Sequence, residues 1–320
     1  MSKEKRSLIK KLAITGAAAG AAGLAFGSLV IEKLLSKSGI REAIEKDALM
    51  PNEDSACFYE SEEALAGIEF YRKTPCKEIT AFNNKGVCLH ADFYEAEKPS
   101  NIYAISCHGY TGMPSQNSIF TRRFHAMGFN VLLPYLRAHG KSEHKYCTMG
   151  LLERLDIIDW INYIIDKDPD AKIILHGASM GAATVMMATG ENLPENVVCC
   201  IEDCGFTTLW DEYTMQIKEM FNLPPNLVLN LANLAAKIKL GIDLKDVSPL
   251  KAVKSSRTPT LFIHGDKDSV VPFWMNYPLY QSAACEKERL VVTGATHAAS
   301  GYCYPEIYWE AITKFINKYI

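Results

Sequence analysis

Gly177-Ala178-Ser179-Met180-Gly181 is a G-x-S-x-G pentapeptide, and its neighbours give it chemical meaning. Lys172 to Leu175 is a short apolar run of the kind a buried strand shows. From Ala182 to Thr189 small and apolar residues, with neither Gly nor Pro, suit a buried helix. A strand–turn–helix reversal this tight puts the serine in a strained conformation with its hydroxyl projecting, and the flanking glycines leave room for the approach. Ser179 is therefore a candidate nucleophile. A serine hydroxyl attacks poorly until a base takes its proton, and that base needs a partner to fix its tautomer. Candidates for both roles lie downstream. Asp268 sits in His264-Gly265-Asp266-Lys267-Asp268-Ser269-Val270-Val271-Pro272, and His297 in Gly294-Ala295-Thr296-His297-Ala298-Ala299. Asp266, two residues away, and Asp203 are rival acids.

These groups need a scaffold that brings them to one edge. The strands read as Glu78–Phe82, Val87–Tyr94, Asn101–Cys107, Asn130–Leu133, the run before Ser179, Asn196–Ile201, Thr260–His264 and Arg289–Thr293. Asn83-Asn84-Lys85-Gly86 between the first two is a hairpin turn whose Asn and Gly tolerate positive φ. Leu151–Asp166 carries Leu151, Leu155, Ile158, Ile161 and Ile165 at helical spacing, and Glu306–Tyr319 is the final helix. A hairpin entry followed by strands alternating with helices predicts an α/β fold. Its sheet is mostly parallel, eight-stranded and covered by helices on both faces. Ser179, Asp268 and His297 then all leave the same sheet edge. Thr207–Val253 interrupts the alternation with an apolar helical stretch broken by Pro224-Pro225 and Gly241. We read it as a lid, since insertions at the carboxyl edge of such sheets border the ligand crevice.

Further motifs fall in order along this frame: His108-Gly109-Tyr110-Thr111-Gly112 after the third strand and Leu136-Arg137-Ala138-His139-Gly140-Lys141-Ser142 after the fourth. With the serine turn, the His-Gly-x-x-Asp-x-x-Val-Pro loop and the last His loop, the chain from about Cys76 to Ile320 resembles the α/β-hydrolase family. The resemblance is strongest to its serine aminopeptidase-like and esterase-like bacterial members. It implies Ser179 as nucleophile, His297 as general base and Asp268 as orienting acid, with an oxyanion hole from the backbone N–H groups of Tyr110 and Met180. The expected activity is hydrolysis of an ester, thioester or small amide through an acyl-enzyme, with a small-molecule acyl substrate and no metal or cofactor. A serine peptidase or an acyltransferase uses the same triad, and a catalytically silent binding protein can share the fold. An aminopeptidase would need an acid for the substrate amine, which Glu202, Asp203 or Glu212 offers. His108 and His139 read as loop braces, Arg137 as a salt-link partner ahead of a binder of a substrate carboxylate, and Phe206, Trp210 and the Tyr110 ring as packing or pocket residues. His90, His125, His144, His176 and His264 lack a partner pattern and read as structural.

The 320 residues fit one large domain with accessories, and 48% apolar with 22% charged residues permits a sizeable core. A formal net charge of −3 gives no reason to expect a nucleic-acid partner. Ten cysteines are scattered without a C-x-x-C pair, so a zinc site is not expected. Cys88, Cys107, Cys199 and Cys200 lie in strand-like runs and read as buried thiols. At the N-terminus Lys3, Lys5, Arg6, Lys10 and Lys11 precede an uncharged, Ala- and Gly-rich run from Leu12 to Ile31. That pattern reads as a signal peptide or membrane anchor over 1–31, with Ala25-Phe26-Gly27 as a possible cleavage site and a loose twin-arginine likeness at Lys5-Arg6. It places a stalk at 32–74 and the hydrolase domain at 75–320, outside the cytoplasm, anchored or secreted.

Overall fold

The computed structural model describes residues 20–45, 60–221 and 224–320, without the side chains of 219–221. Eight strands form one sheet: β1 Lys77–Phe82, β2 Cys88–Tyr94, β3 Ile102–Cys107, β4 Asn130–Pro134, β5 Lys172–Ala178, β6 Val197–Asp203, β7 Thr260–Gly265 and β8 Lys287–Val292. Their order is β1-β2-β4-β3-β5-β6-β7-β8. The β1–β2 and β2–β4 pairs are antiparallel, and the rest of the sheet is parallel. The turn between β1 and β2 closes with Gly86 N–H donating to Asn83 O, and Gly86 takes φ 75°. Asn83 Oδ1 also accepts from the N–H groups of Lys85 and Val87.

The helices are α1 (20–35), α2 Lys37–Glu45, α3 Glu62–Lys73, α4 Ser118–Ala126, α5 Glu153–Lys167, α6 Met180–Thr189, α7 Leu209–Phe221, α8 Pro225–Leu240, α9 Asn276–Ser282 and α10 Pro305–Ile316, with shorter helical turns between them. Side chains on a strand alternate between faces, and here both faces are covered. Ile105, Ile173 and Leu175 pack with Trp160 and Ile161 of α5, Val185 of α6, and Ile31 and Leu35 of α1. Ala104, Ile174 and Ile201 turn the other way, towards Phe124 of α4 and Trp309 and Phe315 of α10. Burial on both sides explains why these strands read as continuous apolar runs. The insertion after β6 forms α7 and α8. Pro225 starts α8 at its first turn, where a missing N–H costs nothing, and Gly241 ends it at φ 68°.

The N-terminal reading needs correction. Leu12–Ala19 lies outside the described residues, but the rest of that run forms α1, which is docked on the domain. Among the described residues no helix is long and apolar enough to cross a membrane. Membrane anchoring by this segment, and the placement outside the cytoplasm drawn from it, are therefore not supported. The small residues serve a packing contact instead. A Cβ at Gly27 would lie 2.1 Å from the Leu231 carbonyl oxygen on α8, so only glycine lets the two helices cross this closely. Ile31 and Leu35, four apart, share one buried face. Lys239 Nζ donates to Glu32 Oε1 at 2.8 Å, Tyr146 Oη donates to the same oxygen at 2.6 Å, and Tyr110 Oη donates to Leu34 O.

The described part of the expected stalk also packs on the domain. Ile40 of α2 is buried, and α3 lies on α4, where a Cβ at Gly67 would meet Ile119 N at 2.9 Å. Glu63 of α3 accepts from Arg122 and Arg123 of α4. Among the described residues eight cysteines are free, with Cys107, Cys199 and Cys200 fully buried, while Cys303 is disulfide-bonded.

Candidate active site

The site is built on the carboxyl ends of β3, β5, β6, β7 and β8. Ser179 caps α6 with φ 56° and ψ −118°, a region that costs a non-glycine residue about 1–3 kcal/mol. The surroundings enforce it. A Cβ at Gly177 would lie 2.3 Å from the Gly181 carbonyl carbon, and one at Gly181 would lie 2.2 Å from Cys107 O. Both glycines let β5, α6 and the end of β3 meet without collision. Ser179 N–H donates to Asp203 O at 2.8 Å, which ties the turn to β6.

The loops after β7 and β8 bring Asp268 and His297 to that serine. His297 Nδ1–H donates to Asp268 Oδ2 at 2.8 Å, and His297 Nε2 stands 3.0 Å from Ser179 Oγ. With Nδ1 holding the proton, Nε2 presents a lone pair to the serine hydroxyl. Asp268 is itself fixed. Its Oδ1 accepts from Val270 N–H at 3.0 Å and Val271 N–H at 2.9 Å. His264 Nε2, which donates to Val271 O at 3.0 Å, is 3.2 Å from Asp268 Oδ2. Asp266, one rival acid, accepts from Gly294 N–H at 2.7 Å and braces the loop. Asp203, the other, is fully buried at the end of β6, and burial pushes its carboxyl up to about 6.

Electrostatics follow from this packing. Burial alone would raise the Asp268 pKa, but the His297 charge and the hydrogen bonds from His264 and His297 overcome it and hold the pKa at about 2. Burial disfavours imidazolium at His297. The Asp268 carboxylate and its hydrogen bond, helped by Glu212 and Asp203, outweigh that and raise its pKa above the ordinary value.

The expected oxyanion donors lie alongside. Tyr110 and Met180 line the same cavity as Ser179 and His297. A Cβ at Gly109 would sit 3.4 Å from Ser179 Cβ, so the loop carrying Tyr110 passes directly over the serine. His108 and His139 brace that loop. His108 Nδ1–H donates to Gly109 O at 2.8 Å and Nε2 accepts from Leu136 N–H at 3.2 Å. His139 Nδ1–H donates to Arg137 O at 2.8 Å and Nε2 accepts from Thr111 N–H at 3.2 Å. Burial drives their pKa values down to about 3 and about 4, so both stay neutral and keep Nε2 as an acceptor. Arg137 grips Asp156 through Nε at 2.7 Å and Nη2 at 2.8 Å, and neither residue lines the cavity at Ser179.

Ser179 opens into a cavity of about 1270 Å³. Of the three acids considered for an amine, Glu212 lines it, whereas Glu202 and Asp203 do not. Phe206 and Tyr213 also line it, and Trp210 instead lies under Lys245 Nζ, 4.7 Å from its ring centroid. The sequence reading missed two contributors. His264 supports Asp268 from four residues upstream, a spacing visible in the motif but uninformative until the loop is folded. Val30 and Leu34 of α1 line the cavity from a segment read as lying outside the domain.

A family profile for the alpha/beta hydrolase fold matches residues 105–226, which span β3, the serine turn and the start of the insertion. The chain has the α/β-hydrolase fold. It is 28% identical to the uncharacterized Bacillus subtilis protein YqkD over 69% of its own length and 72% of that protein's. It is 26% identical to the uncharacterized Salmonella typhimurium protein YfhR over 77% and 84%. Among solved structures it resembles the Pyrococcus furiosus esterase Pf2001, with a TM-score of 0.62 and 24% identity over 77% of this chain and 93% of that one. It also resembles the Pyrococcus horikoshii acylaminoacyl peptidase, with a TM-score of 0.56 and 16% identity over 78% and 42%. The structural likenesses show the fold.

Proposed function

We propose that this α/β-hydrolase is a serine hydrolase that cleaves an ester, thioester or small amide through an acyl-enzyme. What carries the reading is the continuous chain Asp268 Oδ2, His297, Ser179 Oγ, at 2.8 and 3.0 Å, facing a cavity. In this reading His297 Nε2 takes the hydroxyl proton as Ser179 Oγ attacks the substrate carbonyl. Asp268 holds the ring in the Nδ1–H tautomer and stabilises the imidazolium that forms. Negative charge gathers on the carbonyl oxygen, where the Tyr110 and Met180 N–H groups receive it; losing one such donor costs about 3–4 kcal/mol of transition-state stabilisation. His297 then protonates the leaving group, a water enters and gives its proton to Nε2, and collapse releases the acid and restores the serine.

A fluorophosphonate probe tests the nucleophile. The wild type is expected to gain one adduct on Ser179, and Ser179→Ala none; equal labelling of both would exclude Ser179. The acylaminoacyl peptidase likeness concerns that protein's own name. For this chain, Glu212 in the cavity wall favours a second reading, cleavage of a substrate with a free amine. Aminoacyl-arylamides assayed beside p-nitrophenyl esters separate the two, and Glu212→Gln should selectively depress the former if the amine binds there.

A further inference from the structure

Building on the serine-hydrolase reading, we propose that the acyl group this site accepts is a medium-to-long hydrocarbon chain. It would be seated between α1 and the insertion helices α7 and α8. Small-molecule pockets run to about 300–1,000 Å³, and the cavity at Ser179, about 1270 Å³, exceeds what a short acyl group fills. Its lining is mixed in chemistry. Thr111, Ser115, Gln116, Lys267, Ser269 and Thr296 are among the lining residues and suit a polar leaving group.

A second group of lining residues is hydrocarbon. Val30 and Leu34 come from α1, Ile217 from α7, Val228 and Leu229 from α8, and Leu244 follows. Ile217, Val228 and Leu229 form one cluster with Val30 packed against it, so three helices make a continuous wall. Val30 and Leu34 are four residues apart, share a helix face and stay partly exposed, and the buried Ile31 and Leu35 line the cavity beside them. The polar exceptions, Glu212 and Gln216, are tied together at 3.2 Å, and Gln216 Nε2 also donates to Val270 O at 2.9 Å. A wall this largely apolar leaves most of a buried peptide or sugar unpaired, which is costly, whereas methylenes lose nothing there. The α1 part of this wall is fixed by the Gly27 crossing on Leu231 and by the Tyr110 Oη bond to Leu34 O. Chain length is thus read by a segment at the beginning of the sequence.

The test uses the full chain and p-nitrophenyl acetate, butyrate, octanoate and dodecanoate. From acetate to octanoate kcat/KM should rise by about fourfold per buried methylene, equivalent to about 0.8 kcal/mol each. Leu34→Trp, and separately Val228→Trp, should lower the octanoate-to-acetate ratio by about tenfold or more. Leu29→Trp, on the exposed side of α1, should leave the ratio within about twofold, which controls for bulk on the helix. A second arm needs no turnover: Ser179→Ala should bind dansyl-undecanoic acid, and adding Leu34→Trp should weaken that binding about tenfold or more. A flat series or a preference for acetate, with no binding of the dansyl acid, overturns the hydrocarbon site and leaves the hydrolase reading standing. Absence of turnover and of fluorophosphonate labelling, with the dansyl acid still bound and sensitive to Leu34→Trp, supports the hydrocarbon cavity and removes the hydrolase reading.

Discussion

At Ser179 the backbone sits at φ 56°, and the strain is held by neighbours that cannot move. The same logic applies to the two groups behind it. Asp268 is buried yet accepts two backbone N–H bonds and a His297 bond, so it stays ionised and keeps the imidazole pKa raised. A raised His297 pKa has a definite consequence for rate. The free base is the working form in our reading, so kcat/KM falls as pH drops through that pKa, and the midpoint lies above the ordinary value of about 6.5. Asp268→Asn removes the charge that favours imidazolium and leaves burial, which opposes it. The midpoint should therefore move to lower pH while kcat falls on the order of 10⁴-fold. A pH–rate profile with a fluorogenic ester measures both, and an unmoved midpoint would argue against the coupling. Asp203→Asn, which keeps the His297–Asp268 bond, should cost far less.

At the scale of elements, the turn between β5 and α6 depends on absent side chains. Gly181→Ala places a Cβ 2.2 Å from Cys107 O, where backbone on both sides must shift. Thermal unfolding should show a loss of at least about 1–3 kcal/mol, the usual cost of forcing atoms into a packed interior; an unchanged melting curve would mean the turn relaxes freely. This turn was legible because its strain demands glycine at fixed offsets. The β1–β2 hairpin was legible for a similar reason, through Asn83 and Gly86. The position of β4 between β2 and β3 was not, since pairing across the sheet joins residues such as Ala91 and Pro134 that no local pattern links. The choice of Asp268 over Asp266 and Asp203 likewise rested on motif likeness. The structure separates them by which carboxylate reaches His297 Nδ1.

For the molecule as a whole, the segment misread at the start is the instructive one. A run of Ala, Gly and Leu is what a lipid-facing span presents, and also what two closely crossing helices need, because small residues let backbones approach. Composition cannot separate these cases; the Gly27–Leu231 contact and the buried Ile31 and Leu35 do. Docking of α1 also predicts behaviour. Gly27→Leu should prise α1 from α8, so hydrogen exchange should quicken across 20–35 and along Pro225–Leu240, with less change in β5 and α6. Equal protection in variant and wild type would mean that the crossing tolerates a side chain.

The central claim is that Ser179 carries the acyl group between attack and release. Rapid acid quench during turnover of a p-nitrophenyl ester, followed by peptide mass mapping, addresses it directly. The account predicts the acyl mass on the peptide containing Ser179, and its loss in Ser179→Ala. Sustained turnover with that peptide unmodified, or with the acyl group on another residue, would contradict it.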